Sequence, residues 1–312
     1  MKLNEFLNIE FPIIQGGMAN IATGEFAAAV SNAGGLGLIG VGGMSPDQLR
    51  MEITKCKQLT QKPFGVNIML LNPFVEEFAK IVIEEKVKVV TTGAGNPSKY
   101  VKDWKNAGIL VIPVVPSVAM AKLMQRIGAD AVIAEGTESG GHVGEITTMA
   151  LVPQVCDTVS IPVIAAGGIA NGRQFAASIA LGACGVQVGT CLLVSEECPI
   201  HLNYKEQVIK AKDTSTVVTG RSVGVPVRVL KNQMAREYIR MEQTVTDKME
   251  LEKYTLGSLR RAVFDGDIKT GSLMAGQVAG QLSEIKPIRT IFEEIMQGFK
   301  ATVEKIGEEY AN

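Results

Sequence analysis

A histidine on a glycine-rich loop, two glycine-containing pairs and three amides are the groups in this chain whose types and spacing suit chemistry. His142 sits in Ser139-Gly140-Gly141-His142-Val143-Gly144. An imidazole on such a loop can reach a ligand and supply or orient a proton near neutral pH. The other histidine, His201 in Pro199-Ile200-His201-Leu202-Asn203, has no such setting and reads as structural. Gly167-Gly168 and Gly189-Thr190 each end an apolar run. Glycine lets backbone N–H groups approach an anion, a following helix N-terminus adds favourable potential, and Thr190 adds a hydroxyl. Gln15, Asn67 and Gln187 interrupt otherwise apolar segments, which ordinary turns do not explain. Two histidines and scattered cysteines make no transition-metal ligand set, so no metal is expected. No G-x-S-x-G nucleophile elbow is present either. An anion site, polar groups for a heterocycle and one proton-handling residue, without groups for hard chemistry alone, point to a redox cofactor.

The elements that must position these groups follow from hydrophobic patterning. Short runs rich in Val and Ile recur at 11–15, 36–40, 64–69, 87–91, 110–115, 131–135, 162–166 and 185–189. Most are apolar on both faces, as strands of a covered parallel sheet are. Between them lie segments with helical spacing, several closed by glycine, as at Gly108, Gly128 and Gly182. Eight such units predict an α/β fold, a (β/α)8 TIM barrel, whose active site lies at the C-terminal ends of the strands. Those ends hold Gln15-Gly16-Gly17-Met18, Asn67, Thr91-Thr92-Gly93, Glu135-Gly136, Ala166-Gly167-Gly168 and Gln187 to Thr190. The seventh and eighth ends are adjacent in a barrel and form its usual phosphate site. Glu135 is either a simple polar strand end or an orienter of the His142 loop. Gly35-Leu36-Gly37-Leu38-Ile39-Gly40 matches GxGxxG but covers a strand rather than following one, so it is rejected as a dinucleotide fingerprint.

After the eighth run the chain turns charged and helical, with helices expected at 204–212, 227–243 and 256–264. We therefore expect a barrel of 1–197 with 272–312 and an inserted, mainly helical cap domain of 198–271. A final amphipathic helix, 288–310, returns to the barrel.

Composition excludes several classes. The chain has 312 residues, 31 basic and 32 acidic, with 46% hydrophobic and 20% charged residues. That balance gives no nucleic-acid footprint, and it fits neither a disordered chain nor a polytopic membrane protein. The uncharged stretch 174–195 is broken by Gly182, Gly185 and Gly189 and reads as a buried helix, turn and strand, with no membrane span. Five cysteines without a CxxC or an apolar leader suggest free thiols and a cytoplasmic location.

At these same residues the sequence resembles the FMN-dependent enoyl-acyl carrier protein reductases of type II, within the wider nitronate monooxygenase (2-nitropropane dioxygenase-like) family. The resemblance rests on Pro12-Ile-Ile-Gln-Gly-Gly-Met18, Lys62-Pro-Phe-Gly-Val-Asn-Ile-Met69 and Val89-Val-Thr-Thr-Gly-Ala-Gly-Asn-Pro-Ser-Lys-Tyr100. It continues through Ala134-Glu-Gly, Gly140-Gly-His-Val-Gly144, Pro162-Val-Ile-Ala-Ala-Gly-Gly-Ile169, Gln187-Val-Gly-Thr190 and Gly271-Ser-Leu-Met-Ala-Gly-Gln277. It implies FMN at the barrel mouth, with the phosphate on Gly167, Gly168, Gly189 and Thr190. Gly16, Gly17, Met18, Asn67 and Gln187 would contact the ring or ribityl chain, and Met274, Ala275 and Gln277 would approach from the returning segment. Thr92, Glu135 and Ala166 complete the expected cofactor set, and His142 matches the family's catalytic histidine. The implied reaction is NADH- or NADPH-dependent reduction of a trans-2-enoyl thioester on acyl carrier protein. The alternative is oxygen-dependent oxidation of an alkyl nitronate. A homodimer is expected from the family alone. Arg236, Arg240, Arg260 and Arg261 either meet the acidic carrier protein or form a solvated face. Three positions depart from the pattern: Asn171 where Asp is frequent, Cys191 where Arg is frequent and Val225 where His is frequent.

Overall fold

Residues 2–245 and 248–310 are described in a computed structural model of the chain. Its strands are β1 (Ile13–Gln15), β2 (Gly37–Gly40), β3 (Phe64–Met69), β4 (Val89–Gly93), β5 (Leu110–Val115), β6 (Val132–Glu135), β7 (Gly141–His142), β8 (Val163–Ala166), β9 (Gly185–Val188), β10 (Thr216–Thr219) and β11 (Val227–Leu230). The helices are α1 (Leu3–Leu7), α2 (Gly24–Asn32), α3 (Pro46–Leu59), α4 (Val75–Glu84), α5 (Ser98–Asn106), α6 (Val118–Arg126) and α7 (Thr148–Cys156). After them come α8 (Gly172–Ala180), α9 (Thr190–Leu193), α10 (Leu202–Ile209), α11 (Gln233–Thr244), α12 (Lys248–Thr255), α13 (Ser258–Arg260) and α14 (Ile288–Tyr310).

Eight parallel strands run in the order β1-β9-β8-β6-β5-β4-β3-β2, with helices between them, as a TIM barrel. A bridge between Ile14 and Leu36 closes the ring. The seam between β1 and β2 is thin, and Gln15 strengthens it. Its side chain points away from the barrel axis and is fully buried, with Nε2 donating to Leu38 O at 3.0 Å and Oε1 accepting from Leu38 N at 3.4 Å. Gln15→Leu would leave that backbone pair unsatisfied, and urea unfolding should show a loss of about 1–3 kcal/mol.

Alternation along each strand sends one set of side chains inward. Ile14, Leu38, Val89, Ile112, Ile133 and Ile164 fill the lower interior together with Leu3 and Leu7 of α1. Leu3 N–H donates to Cys184 O at 3.0 Å, and a Cβ on Gly185 would stand 2.5 Å from Leu3 Cδ2. The barrel therefore has a floor made of α1. On the outer face Gly37 exists for close approach, since a Cβ there would lie 1.9 Å from Ala27 O of α2. That packing accounts for a glycine of the GxGxxG match.

The last helix completes the outer ring. α14 crosses α8 where Gly172 meets Gly298, a Cβ on Gly172 lying 2.2 Å from Gly298 C, and Phe175 meets Phe299 edge-on with centroids 5.1 Å apart.

The segment between α9 and α14 is less helical than its composition suggests. Residues 227–230, expected to be helical, form β11, which pairs antiparallel with β10 on one side and β7 on the other. β-Branched Val227 and Val229 suit that strand, and α11 begins only after Asn232, whose Oδ1 accepts from Ala235 N at 2.9 Å. The helix expected at 256–264 starts only after Gly257 (φ 70°), as α13 followed directly by a π-helical turn at 261–265. No helix among the described residues is long and apolar enough to cross a membrane, and the five cysteines are free.

Candidate active site

A cavity of about 520 Å³ opens at the C-terminal ends of the barrel strands. The inward phase of each strand determines which side chains reach it. Asn67 on β3, Glu135 on β6 and Gln187 on β9 point in and line the wall, as do Gly16, Gly17, Met18, Ala166, Gly167, Gly168, Gly189, Thr190, Met274 and His142. Thr92 does not. It shares the outward face of β4 with Val90, and the inward residue is Thr91, whose Oγ1 accepts from Asn67 Nδ2 at 2.9 Å. Ala275 and Gln277 also stand outside the wall. Their segment acts through its backbone: Gln277 N donates to Glu138 O at 2.9 Å, and Gly276 N donates to Thr190 Oγ1 at 2.9 Å. Gln15 is structural, as described above.

The wall is built for close approach. A Cβ on Gly17 would stand 2.2 Å from Asn67 Cγ. Gly167 and Gly168 have φ of 92° and 70°, the left-handed region that favours glycine. Thr148 Oγ1 holds the turn by donating to Gly167 O at 2.9 Å. Among the described lining residues there is no lysine or arginine, and the titratable groups are Glu135, Glu138 and His142. An anion here would be met by backbone N–H groups and by Thr190, whose hydroxyl oxygen already accepts and whose proton is free to donate. Gln187 Oε1 is buried without a hydrogen-bond partner and belongs to the cavity wall. Such an orphaned acceptor is what a donor on a bound ring would satisfy.

Two groups of the cavity wall have shifted acidities. Burial pushes the Glu135 carboxyl up to about 7, partly offset by Ser139. His142 keeps much of its surface open, yet the protein around it disfavours the imidazolium and holds its pKa below the ordinary 6.5.

The His142 loop is held from several sides. Val227 and Arg228 of β11 pair with His142 and Gly141, and Val143 N donates to Pro226 O at 3.1 Å. The Glu138 carboxylate accepts from Thr148 N at 2.9 Å, fixing the start of α7. Arg228, only 7% exposed, donates from Nε and Nη2 to Thr137 O at 3.1 and 3.0 Å and from Nη1 to Thr216 Oγ1 at 3.0 Å. Sequence reasoning missed Arg228 and the hairpin tip Gly224-Val225-Pro226, which also lines the cavity. A charged residue between two valines was the available signal, hidden by the helical reading of 227–243. Of the departures noted above, Val225 lines the wall, Asn171 caps α8, and Cys191 is buried outside the wall with its thiol pushed up to about 12 by burial.

Comparison with known proteins follows the same outline. The profile of the nitronate monooxygenase family matches residues 1–82 and 73–298. The structure of FabK from Thermotoga maritima superposes with a TM-score of 0.95 at 54% identity, over 97% of each chain. A probable nitronate monooxygenase from Staphylococcus aureus (strain MSSA476) is 35% identical, covering 95% of this chain and 96% of that one. The (3aS,4S,5R,7aS)-5-hydroxy-7a-methyl-1-oxo-octahydro-1H-indene-4-carboxyl-CoA dehydrogenase of Mycobacterium tuberculosis is 33% identical over 94% of both.

Proposed function

The chain belongs to the nitronate monooxygenase family of oxidoreductases, and we propose that within it the protein is an FMN-dependent enoyl-acyl carrier protein reductase of type II. The observation that carries this reading is the 54% identity to FabK, the enoyl-acyl carrier protein reductase II, at a TM-score of 0.95. The residues fit the cofactor. The turns at 167–168 and 189–190 would take the phosphate on backbone N–H groups and Thr190. Gly17 leaves room beside Asn67 for a flat ring, and Gln187 Oε1 lacks a donor. When bound, FMN supplies the hydride that saturates the enoyl double bond, and NADH or NADPH replenishes it.

The chain's own residues do the rest. Gly16, Gly17, Met18 and Met274 form the walls that orient the reactants and limit water. His142 is uncharged at neutral pH, so its ring N–H donates or relays the proton that reaches the α-carbon. The thioester would arrive on acyl carrier protein, in the cytoplasm. Arg236, Arg240 and Arg260 are exposed and have no carboxylate at ion-pair distance among the described residues, which suits an acidic carrier.

The second reading, nitronate oxidation, is favoured by the name of the Staphylococcus aureus relative. An anaerobic half-reaction followed by flavin absorbance separates the two. Bleaching by NADH or NADPH and rapid recovery on adding crotonyl-CoA is the expected result. A flavin that is never bleached, or stays bleached after crotonyl-CoA and a carrier-protein substrate, overturns the reductase reading; turnover of a nitronate in air would then establish the other.

A further inference from the structure

Arg228 is an unusual group to bury. Burial lowers its pKa, and among the described residues it has no carboxylate within ion-pair distance. Two of its donors are spent on a single carbonyl, Thr137 O, five residues before His142. Its own backbone, in the ladder between β11 and β7, lies opposite Gly141. One residue therefore grips the His142 loop at both ends: the guanidinium holds the start, and the strand holds the finish. The third donor, on Thr216 Oγ1, ties this grip to β10. The β10–β11 hairpin whose strand holds His142 also sends its tip, Val225 and Pro226, into the cavity wall.

We propose that Arg228 is a positioning residue, which sets the placement of His142 over the cavity and couples it to the β10–β11 hairpin that lines the substrate side. This rests on the reductase reading for its kinetic arm only. A positioning residue should govern the step that uses His142 and leave flavin retention alone, because no group that would hold the cofactor is bonded to the Arg228 side chain.

The test uses the flavin-loaded full chain as wild type, Arg228→Met, Arg228→Lys, His142→Ala and the Arg228→Met/His142→Ala double variant. With crotonyl-CoA, Arg228→Met should lower kcat on the order of 10–100-fold with little change in KM. Flavin reduction by the nicotinamide donor should stay near wild type. Arg228→Lys should recover part of the loss, and the double variant should be no slower than His142→Ala, since both changes remove one function. The second arm needs no turnover. The chain has two histidines, so 13C-labelled imidazoles give two Cε1–H signals. In Arg228→Met the His142 signal should move and its titration midpoint rise toward 6.5, while His201 stays put. The groups sharing the cavity wall with His142 are Glu135 and Glu138, and both are unchanged in these variants.

An unmoved His142 signal, an unchanged kcat in folded Arg228→Met, or multiplicative losses in the double variant would each overturn the inference. Where Arg228→Met does not fold, Arg228→Lys carries both arms with a smaller expected loss, and no change in either arm is equally fatal. A wild type that never reduces crotonyl-CoA defeats the functional proposal alone, and the imidazole signals then decide the role of Arg228.

Discussion

Replacing His142 by alanine should slow reoxidation of the reduced flavin by crotonyl-CoA by roughly 10²–10⁴-fold, the range general acid–base groups contribute. Reduction by NADH or NADPH should hardly change, because that half-reaction does not require a proton at the substrate α-carbon. Flavin content should hold too, since the expected phosphate contacts come from the turns at 167–168 and 189–190. Stopped-flow traces of the two half-reactions check this directly. Equal slowing of both would mean that His142 acts on the fold or the cofactor rather than on the proton. The lowered pKa adds a pH signature. The imidazole remains neutral through pH 7, so wild-type turnover should show no loss from His142 between pH 7 and 8. On acidification below the ordinary range of histidine the imidazolium, the stronger acid, forms, so the proton-transfer step should quicken rather than decline.

Glu135 supplies the largest expected effect on stability. Its carboxyl titrates near 4.5 in an unfolded chain and at about 7 in the folded one. Between those values the native state binds the extra proton, so stability falls as pH rises through the window. The full cost, present above about pH 7, is about 3 kcal/mol for a shift of this size. Glu135→Gln keeps the shape and removes the charge. At equal flavin occupancy the variant should match wild type near pH 4.5 and be more stable by about that amount at pH 8. Urea unfolding across pH 4.5–8 measures it. Parallel curves for the two proteins would show that Glu135 is charged at little cost, and that the cavity is wetter than its walls suggest.

The barrel was legible because its signal is redundant. Runs such as 110–115 and 162–166 are apolar on both faces and flanked by helices with good caps, such as Asn171 with Gln174 on α8. The same two-sided apolarity hides the phase of each strand. Val89-Val90-Thr91-Thr92 carries no alternation, so sequence alone could not tell that Thr91 faces the cavity and Thr92 the helices. Gln15 was misjudged for the same reason: it looked like a ligand group at a strand end and proved to be the stitch across the seam. Backbone roles were invisible altogether, which is why Ala275 and Gln277 seemed to be cofactor contacts when it is the peptide chain at 276–277 that binds the loop. The hairpin of β10 and β11 was lost because four-residue strands between charged segments leave too short a pattern. With it went Arg228, whose importance comes from a partner at Thr137, far away in sequence.

Among the described residues, the helix α1 closes the barrel at the end opposite the cavity. Leu3 and Leu7 seal the end opposite the cavity with side chains as dry as the strands above them. Reactants therefore have no back entrance. Under the proposed reaction, the nicotinamide donor and the enoyl thioester would both come and go through the mouth of the barrel, and a cofactor that stores reducing equivalents between visits suits such traffic.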